Sequence, residues 1–331
     1  MEYILFLCFI VAFLATLLIT PYWIKRAKNA GLVGKDMHKL KKIEVAEVGG
    51  LCVVTGFIFG ILTYIAIQTF YFHNQVRSLQ IMAILSTILI ITLIGLIDDI
   101  LGWKIGLRQW QKPLLALFAS LPIVVINVGH STMALPFLGE INVGLLYPLV
   151  LVPLAIAGAS NGFNMIGGYN GLESGLGILI LGALGFTAWK VGSPWTSVIA
   201  LCMFFALVAF YFYNKYPSKV FPGDTLTYPV GALIACVAIV GNMERAALIL
   251  FIPYFIELIL KARGKFKKES FAKLQKDGSL DVPYSKFYGV EHVAVYLLKK
   301  IRNKVSEKDL VYSLYAFEII LVLFVIISAP L

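Results

Sequence analysis

The stretch IMAILSTILIITLIGLIDDILGWK, residues 81–104, decides the fold. From Ile81 to Ile97 it carries no charge, and then two aspartates stand side by side. An uncharged segment of this kind suits hydrocarbon about 30 Å thick, which a helix of roughly 20 residues crosses. A carboxylate near the bilayer centre costs a few kcal/mol, and two adjacent ones also repel. Asp98 and Asp99 therefore sit at a wet end of the segment, or hold a cation, or do both.

The rest of the chain repeats the pattern. Of 331 residues 60% are hydrophobic and 14% charged, with a mean hydropathy of +0.86, which excludes a soluble globular protein. Ten apolar segments are expected to cross a membrane as helices: 3–23, 48–70, 79–97, 112–128, 141–160, 171–189, 194–214, 225–241, 244–261 and 311–329. Pro122 and Pro229 interrupt the fourth and eighth. The first lacks the basic start and small-residue cleavage site of a signal peptide. Lysine and arginine orient the set. The connections after the odd-numbered segments hold 25 of the 28 basic residues, leaving only Arg77, Lys190 and Arg245 on the other side. The odd connections are thus read as cytoplasmic and both termini as extracytoplasmic. The net charge of +10 follows from this bias, so nucleic acid is not an expected partner. Cys8, Cys52, Cys202 and Cys236 stand singly in apolar segments and read as packing residues rather than as a disulfide or zinc framework.

Other polar residues fall on the face that carries Asp98 and Asp99. SNGFNMIGGYNGLESG, residues 160–175, has no basic residue but contains Asn161, Asn164, Asn170 and Glu173. Asn161 and Asn164 share a face if helical. FPGDT, residues 221–225, ends in an aspartate that opens the eighth segment. As a helix N-cap Asp224 has a complete structural explanation, but it is also a third carboxylate at the depth of Asp98 and Asp99. Asp98, Asp99, Asn164 and Asp224 make the hard-oxygen set that suits Mg²⁺ together with substrate phosphate. Lys35, Lys39 and Lys112 lie near the same plane. Carboxylates, a divalent cation and lysines describe a site for a diphosphate. In the last long connection, 261–310, KESFAKLQKDGSLDVPYSKF reads as a β-hairpin turning at Asp277-Gly278. After it, Val290, Val293, Ala294, Leu297, Leu298 and Ile301 form one helical stripe flanked by lysines, the pattern of an interfacial amphipathic helix. The whole chain is read as one integral membrane domain, with 261–310 a cytoplasmic subdomain within it.

GLIDDILG, NGFNMIGGYNGLESG and FPGDT, in this order on alternate cytoplasmic connections, resemble the polyprenyl-phosphate N-acetylhexosamine-1-phosphate transferases. The resemblance extends over nearly the whole chain and includes GKDMHK, residues 34–39. NGLES and GSLDVPYSKF are similar to the archaeal and eukaryotic dolichyl-phosphate branch. Only His292 stands in the last connection, where bacterial enzymes carry a histidine cluster. What the resemblance implies is an all-α polytopic enzyme moving N-acetylglucosamine-1-phosphate from UDP-GlcNAc to a dolichyl-type polyprenyl phosphate, with release of UMP. That reaction is the first membrane step of lipid-linked oligosaccharide assembly. It further implies Mg²⁺, with Mn²⁺ able to substitute, held by Asp224 and Asn164, and catalysis by Asp98, Asp99 and Lys112. Lys39, Asn161, Asn170 and Glu173 then serve the substrates, Asn170 near the uracil. Lys267 and Lys268 stand where the eukaryotic enzymes have an Arg-His-Arg cluster, without arginine's bidentate fork. The short chain suits an archaeal plasma-membrane enzyme working at the cytoplasmic face, and a homodimer is compatible with it. Two alternatives stand beside this reading: the same chemistry on another UDP-N-acetylhexosamine, and a cation-coupled transporter. The transporter calls for ionisable residues at span centres and repeat symmetry; here Glu257 and Glu318 lie near helix ends and no repeat is seen.

Overall fold

The computed structural model describes residues 3–41, 43–127, 132–135 and 139–328. It is an assembly of helices: α1 (Phe6–Asn29), α2 (Gly50–Phe70), α3 (Ser78–Ile105), α4 (Gln111–Ala119), α5 (Leu121–Val125), α6 (Val152–Phe163), α7 (Leu172–Lys190), α8 (Pro194–Asn214), α9 (Asp224–Val240), α10 (Glu244–Leu250), α11 (Ile252–Arg263), α12 (Val290–Ile301) and α13 (Glu307–Ser328). Among the described residues six helices are long and apolar enough to cross a membrane, and 111–125, 147–163 and 224–240 are shorter apolar helical stretches. The protein is a multi-pass membrane protein.

Most expected segments appear, with breaks that have local causes. The fourth divides into α4 and α5 around Ser120, just ahead of Pro122; residue 128, its expected end, and residue 329, the expected end of the tenth, lie outside the described residues. The ninth divides into α10 and α11 at Phe251, because Pro253 has no N–H to give and its ring crowds the preceding turn. The fifth does not begin at 141. Residues Gly139–Asn142 form strand β4, paired antiparallel with β3 (Thr132–Leu135). The Asn142 side chain then accepts the Gly144 N–H at 3.0 Å, a local turn that delays the helix to Tyr147, where one wide π turn leads into α6. A further hairpin that the sequence pattern does not announce, β1 (Val33–Lys35) with β2 (Glu44–Ala46), folds the loop after α1. The expected hairpin is present as β5 (Lys273–Leu274) and β6 (Leu280–Asp281), and the amphipathic stripe is α12.

Helix α9 is the axis. Every residue from Thr225 to Ile239 is buried, and α2, α3, α6, α7, α8 and α10 pack around it. Two close crossings fix its neighbours. At Gly95 of α3 an added Cβ would lie 2.6 Å from the Asp224 carbonyl oxygen, so only glycine lets α3 lie against the start of α9. At Gly231 of α9 a Cβ would strike the Ala159 carbonyl of α6. These contacts bring Asp98, Asp99 and Asn164 to the N-terminal end of α9.

Candidate active site

Adjacent helix residues point about 100° apart, and the α3–α9 contact gives the two aspartates different partners. Asp99 faces the start of α9. Its Oδ1 accepts the Asp224 N–H at 2.8 Å, and its Oδ2 accepts the Thr225 N–H at 3.0 Å and the Thr225 hydroxyl at 2.9 Å. Gly223 occupies the cap position, and Asp224 is the first helical residue, not the cap. A carboxylate from another helix thus does the capping, satisfying donors that a helix start leaves free. Replacing Asp99 with alanine strands these buried groups, and a lost cap costs about 1 to 2 kcal/mol. A lowered melting midpoint in detergent, together with reduced turnover, is the expected result for Asp99→Ala; an unchanged midpoint would contradict the capping role.

Asp98 faces Lys112 at the start of α4. The Lys112 Nζ donates to Asp98 Oδ2 at 2.6 Å and to Asp224 Oδ2 at 2.9 Å, and the other Asp98 oxygen accepts the Leu107 N–H at 2.6 Å. One ammonium therefore bridges two carboxylates, all three side chains at most 22% exposed. Counted formally, one ammonium faces two carboxylates, and this surplus of negative charge in a half-dry site favours a further cation.

Asn164 caps the end of α6 with helical dihedrals, its N–H reaching the Ser160 carbonyl at 3.4 Å, yet it lines a different space from Asn161. Its Oδ1 accepts the Thr227 hydroxyl at 2.8 Å. A 250 Å³ polar cavity is lined by Asn164, Asp224, Thr227, Glu47, Glu173, Lys35, Met37 and Phe221, among others. Glu173 Oε1 accepts the Gly168 N–H at 2.7 Å, while its Oε2 is buried without a hydrogen-bond partner. Burial holds the Glu47 carboxyl above its ordinary range. Asn161 instead donates to the Ala157 carbonyl and lines a second space, a 650 Å³ apolar groove between α4, α6, α9, α10 and α11. Lys112 thus lies between the two linings, next in sequence to Pro113 of the groove and bound to Asp224 of the polar cavity.

Lys39 and Asn170 form a separate buried group. The Lys39 ammonium pairs with Glu307 and lies 3.3 Å from Asp36, above the Tyr216 ring. Asn170 donates to Asp36 and Glu307, and accepts the Ser218 N–H at 2.6 Å. His38 stacks on Tyr169 with centroids 4.2 Å apart, close to Asp36 and Glu307. Asp36, Tyr169 and Phe271 border the polar cavity, so this group walls it rather than opening into it. Glu307 gave no signal in the sequence, since its partners lie over 130 residues away. Lys267 and Lys268 are exposed on the loop after α11, Lys268 over the Tyr284 ring, and the structure does not bring them into the Lys112 cluster.

Burial pushes His38 below its ordinary value of 6.5, against the pull of Glu307 and Asp36. The unfolded chain then binds more protons, so stability falls as pH drops below about 6.5 toward the folded value. Burial lowers His292 in the same way. His38→Asn is expected to flatten part of the decline in melting midpoint between pH 7.5 and 5.5; a slope identical to the wild type would remove His38 from the acid response.

Comparisons with known proteins identify the family. The family model described as "Glycosyl transferase family 4" matches residues 81–242, the span from the Asp98 helix through α9. A Saccharolobus solfataricus protein is 40% identical over 82% of this chain and 82% of its own length. The chain belongs to glycosyl transferase family 4. A Sulfolobus acidocaldarius family member is 33% identical over 96% of this chain and 94% of its own length. Both archaeal proteins are provisionally named UDP-N-acetylglucosamine–dolichyl-phosphate N-acetylglucosaminephosphotransferase. A Dictyostelium discoideum protein of that name is 28% identical over 70% of this chain and 65% of its own length.

Proposed function

We propose that this chain transfers N-acetylglucosamine-1-phosphate from UDP-GlcNAc to a dolichyl-type polyprenyl phosphate, releasing UMP at the cytoplasmic face of the plasma membrane. The observation that carries the reading is the place of Lys112, between a polar cavity and an apolar groove. A nucleotide sugar suits the first space and an isoprenoid tail the second, and their phosphates meet at the ammonium. The names of the archaeal and Dictyostelium relatives support the donor and acceptor.

In the reaction an oxygen of the lipid phosphate attacks the sugar-linked phosphorus of UDP-GlcNAc. The bond from that phosphorus to the UMP oxygen breaks, and UMP leaves with the electron pair. Two anions must approach, so charge neutralisation is the main catalytic requirement. Lys112 supplies a positive charge held at the meeting point by Asp98 and Asp224. A phosphate with a second pKa near 6 is mostly dianionic at pH 7, so direct displacement requires no strong base. Asp98 then orients Lys112 and the acceptor, and Asp99 holds Asp224 in place. The Asp224 carboxylate and the Asn164 amide oxygen line one cavity, with the unpartnered Glu173 oxygen nearby, and this hard-oxygen set fits Mg²⁺. When bound there, Mg²⁺ would supply further charge neutralisation on the donor diphosphate. The loop subdomain adds a membrane contact: α12 exposes Leu297 and Ile301 beside Lys299 and Lys300, as an interfacial helix does.

The test is UMP release by purified protein with a short dolichyl phosphate and a panel of UDP-sugars, with and without Mg²⁺. Release with UDP-GlcNAc and little with UDP-glucose supports the reading. Release with a different UDP-N-acetylhexosamine keeps the chemistry and changes the donor. No release with any donor from folded protein overturns it.

A further inference from the structure

Asn164 carries an oxygen of the site at the end of α6, its side chain held by Thr227, and the path of the backbone just beyond it bears on where that oxygen sits. Polar side chains from two distant elements close on the residues just after it. Lys261 of α11 donates its ammonium to the Met165 carbonyl at 2.8 Å. Lys261 is itself 3.4 Å from Glu257, which is fully buried and accepts the Ser270 hydroxyl at 2.9 Å and the Val290 N–H at 2.6 Å. From the start of α12, Glu291 faces the Gly167 amide without closing a hydrogen bond, and it is also fully buried. Burial, with the Glu257 charge beside it, holds the Glu291 carboxyl well above its ordinary range. Lys261 has the Glu257 carboxyl and the Met165 carbonyl as partners. A cation at this place also suits physics, because the last carbonyls of α6 carry partial negative charge with no intrahelical donor.

We propose that Lys261 is a positioning residue for the reaction: its ammonium, held by Glu257, fixes the Met165 carbonyl and with it the adjoining Asn164. The inference rests on the transferase reading for its kinetic consequence, but the clamp itself does not. Glu257 also ties Ser270 and the first residue of α12 to the same lysine, so the loop subdomain and the turn share one anchor. A neutral side chain of similar length loses the bond to Met165 while leaving the packing of its stem.

The experiment compares Lys261→Met and Lys261→Arg in full-length protein, with two readouts. Hydrogen exchange of the peptide spanning 164–172 reads the turn without substrate or metal. Steady-state kinetics with UDP-GlcNAc and dolichyl phosphate separates kcat from KM. For Lys261→Met, faster exchange in that peptide and a kcat lower by about tenfold, with the acceptor KM unchanged, are the expected results, since a misplacement of about 1 Å costs up to 10²-fold. Lys261→Arg, which keeps the donor, should restore most of both. Unchanged exchange in Lys261→Met would overturn the clamp. Faster exchange with kcat unchanged would reduce Lys261 to a structural residue, and a raised acceptor KM alone would make it a substrate contact. If the wild type releases no UMP from any donor, the transferase reading fails, while the exchange result still judges the clamp.

Discussion

Asp224→Asn is expected to lower UMP release by about 10³-fold or more while leaving the protein folded. The substitution keeps the size of the side chain and the backbone N–H, which goes on donating to Asp99, so the start of α9 keeps its cap. The change is one of charge. Lys112 bridges Asp98 and Asp224 through one ammonium, and an amide at 224 leaves the lysine paired with Asp98 alone. The same change removes the only carboxylate that both binds Lys112 and lines the polar cavity beside Asn164, among the described residues. Loss of one preorganised electrostatic group in a dry site typically costs about 10²- to 10³-fold, and loss of a metal ligand adds to it. The measurement is kcat at saturating substrates, with the melting midpoint read in parallel and Mg²⁺ raised in steps. Partial recovery at high Mg²⁺ would place the lost carboxylate on the cation. Full activity at ordinary Mg²⁺ would remove Asp224 from the reaction.

How much of the fold and site is legible in the sequence depends on how local the cause is. The hairpin at Asp277-Gly278 and helix α12 arise from turn chemistry and a six-residue stripe, and both appear at the residues that encode them. Asp98, Asp99, Lys112, Asn164 and Asp224 are legible as a set, because polar residues at one depth of a membrane chain need a common explanation. Their separate tasks are not. Which aspartate meets Lys112 and which caps α9 depends on the rotation of α3, and that is set by the contact at Gly95. Asn161 is separated from Asn164 for a related reason: a spacing of three does not decide which space a side chain enters, and Asn161 lines the apolar groove while Asn164 lines the polar cavity. Lys39 and Asn170 read in sequence as substrate residues, and the structure places both in the wall formed with Asp36 and Glu307. Lys261 reads in sequence as one more orienting lysine, and only the return of the chain at Met165 gives it a particular partner. Strand β4 is hidden because it is only four residues, GEIN, whose last two stand at the start of the apolar run that continues into α6.

Gly158→Phe is expected to raise the KM for dolichyl phosphate roughly fiftyfold while leaving the KM for UDP-GlcNAc nearly unchanged. Gly158 lines the apolar groove, and an added Cβ there meets no atom within 4 Å, so the helix accepts a side chain without a clash. The ring must then occupy space that belongs to the groove, between Ala155 and Ala159 on α6 and the α9 face at Ala235 and Ala238. Each isoprenoid CH₂ kept from burial forfeits about 0.8 kcal/mol, so displacing three costs about 2.4 kcal/mol, and each 1.4 kcal/mol is tenfold in affinity. The polar cavity is lined by α9's first residues and the loops and shares no lining residue with the groove, so the ring does not enter it. Acceptor length supplies the internal control. A tail too short to reach residue 158 should be used equally well by both proteins, whereas a long one should separate them. If Gly158→Phe leaves the long acceptor's KM unchanged, the tail does not run in this groove, and the lipid phosphate reaches Lys112 from another side.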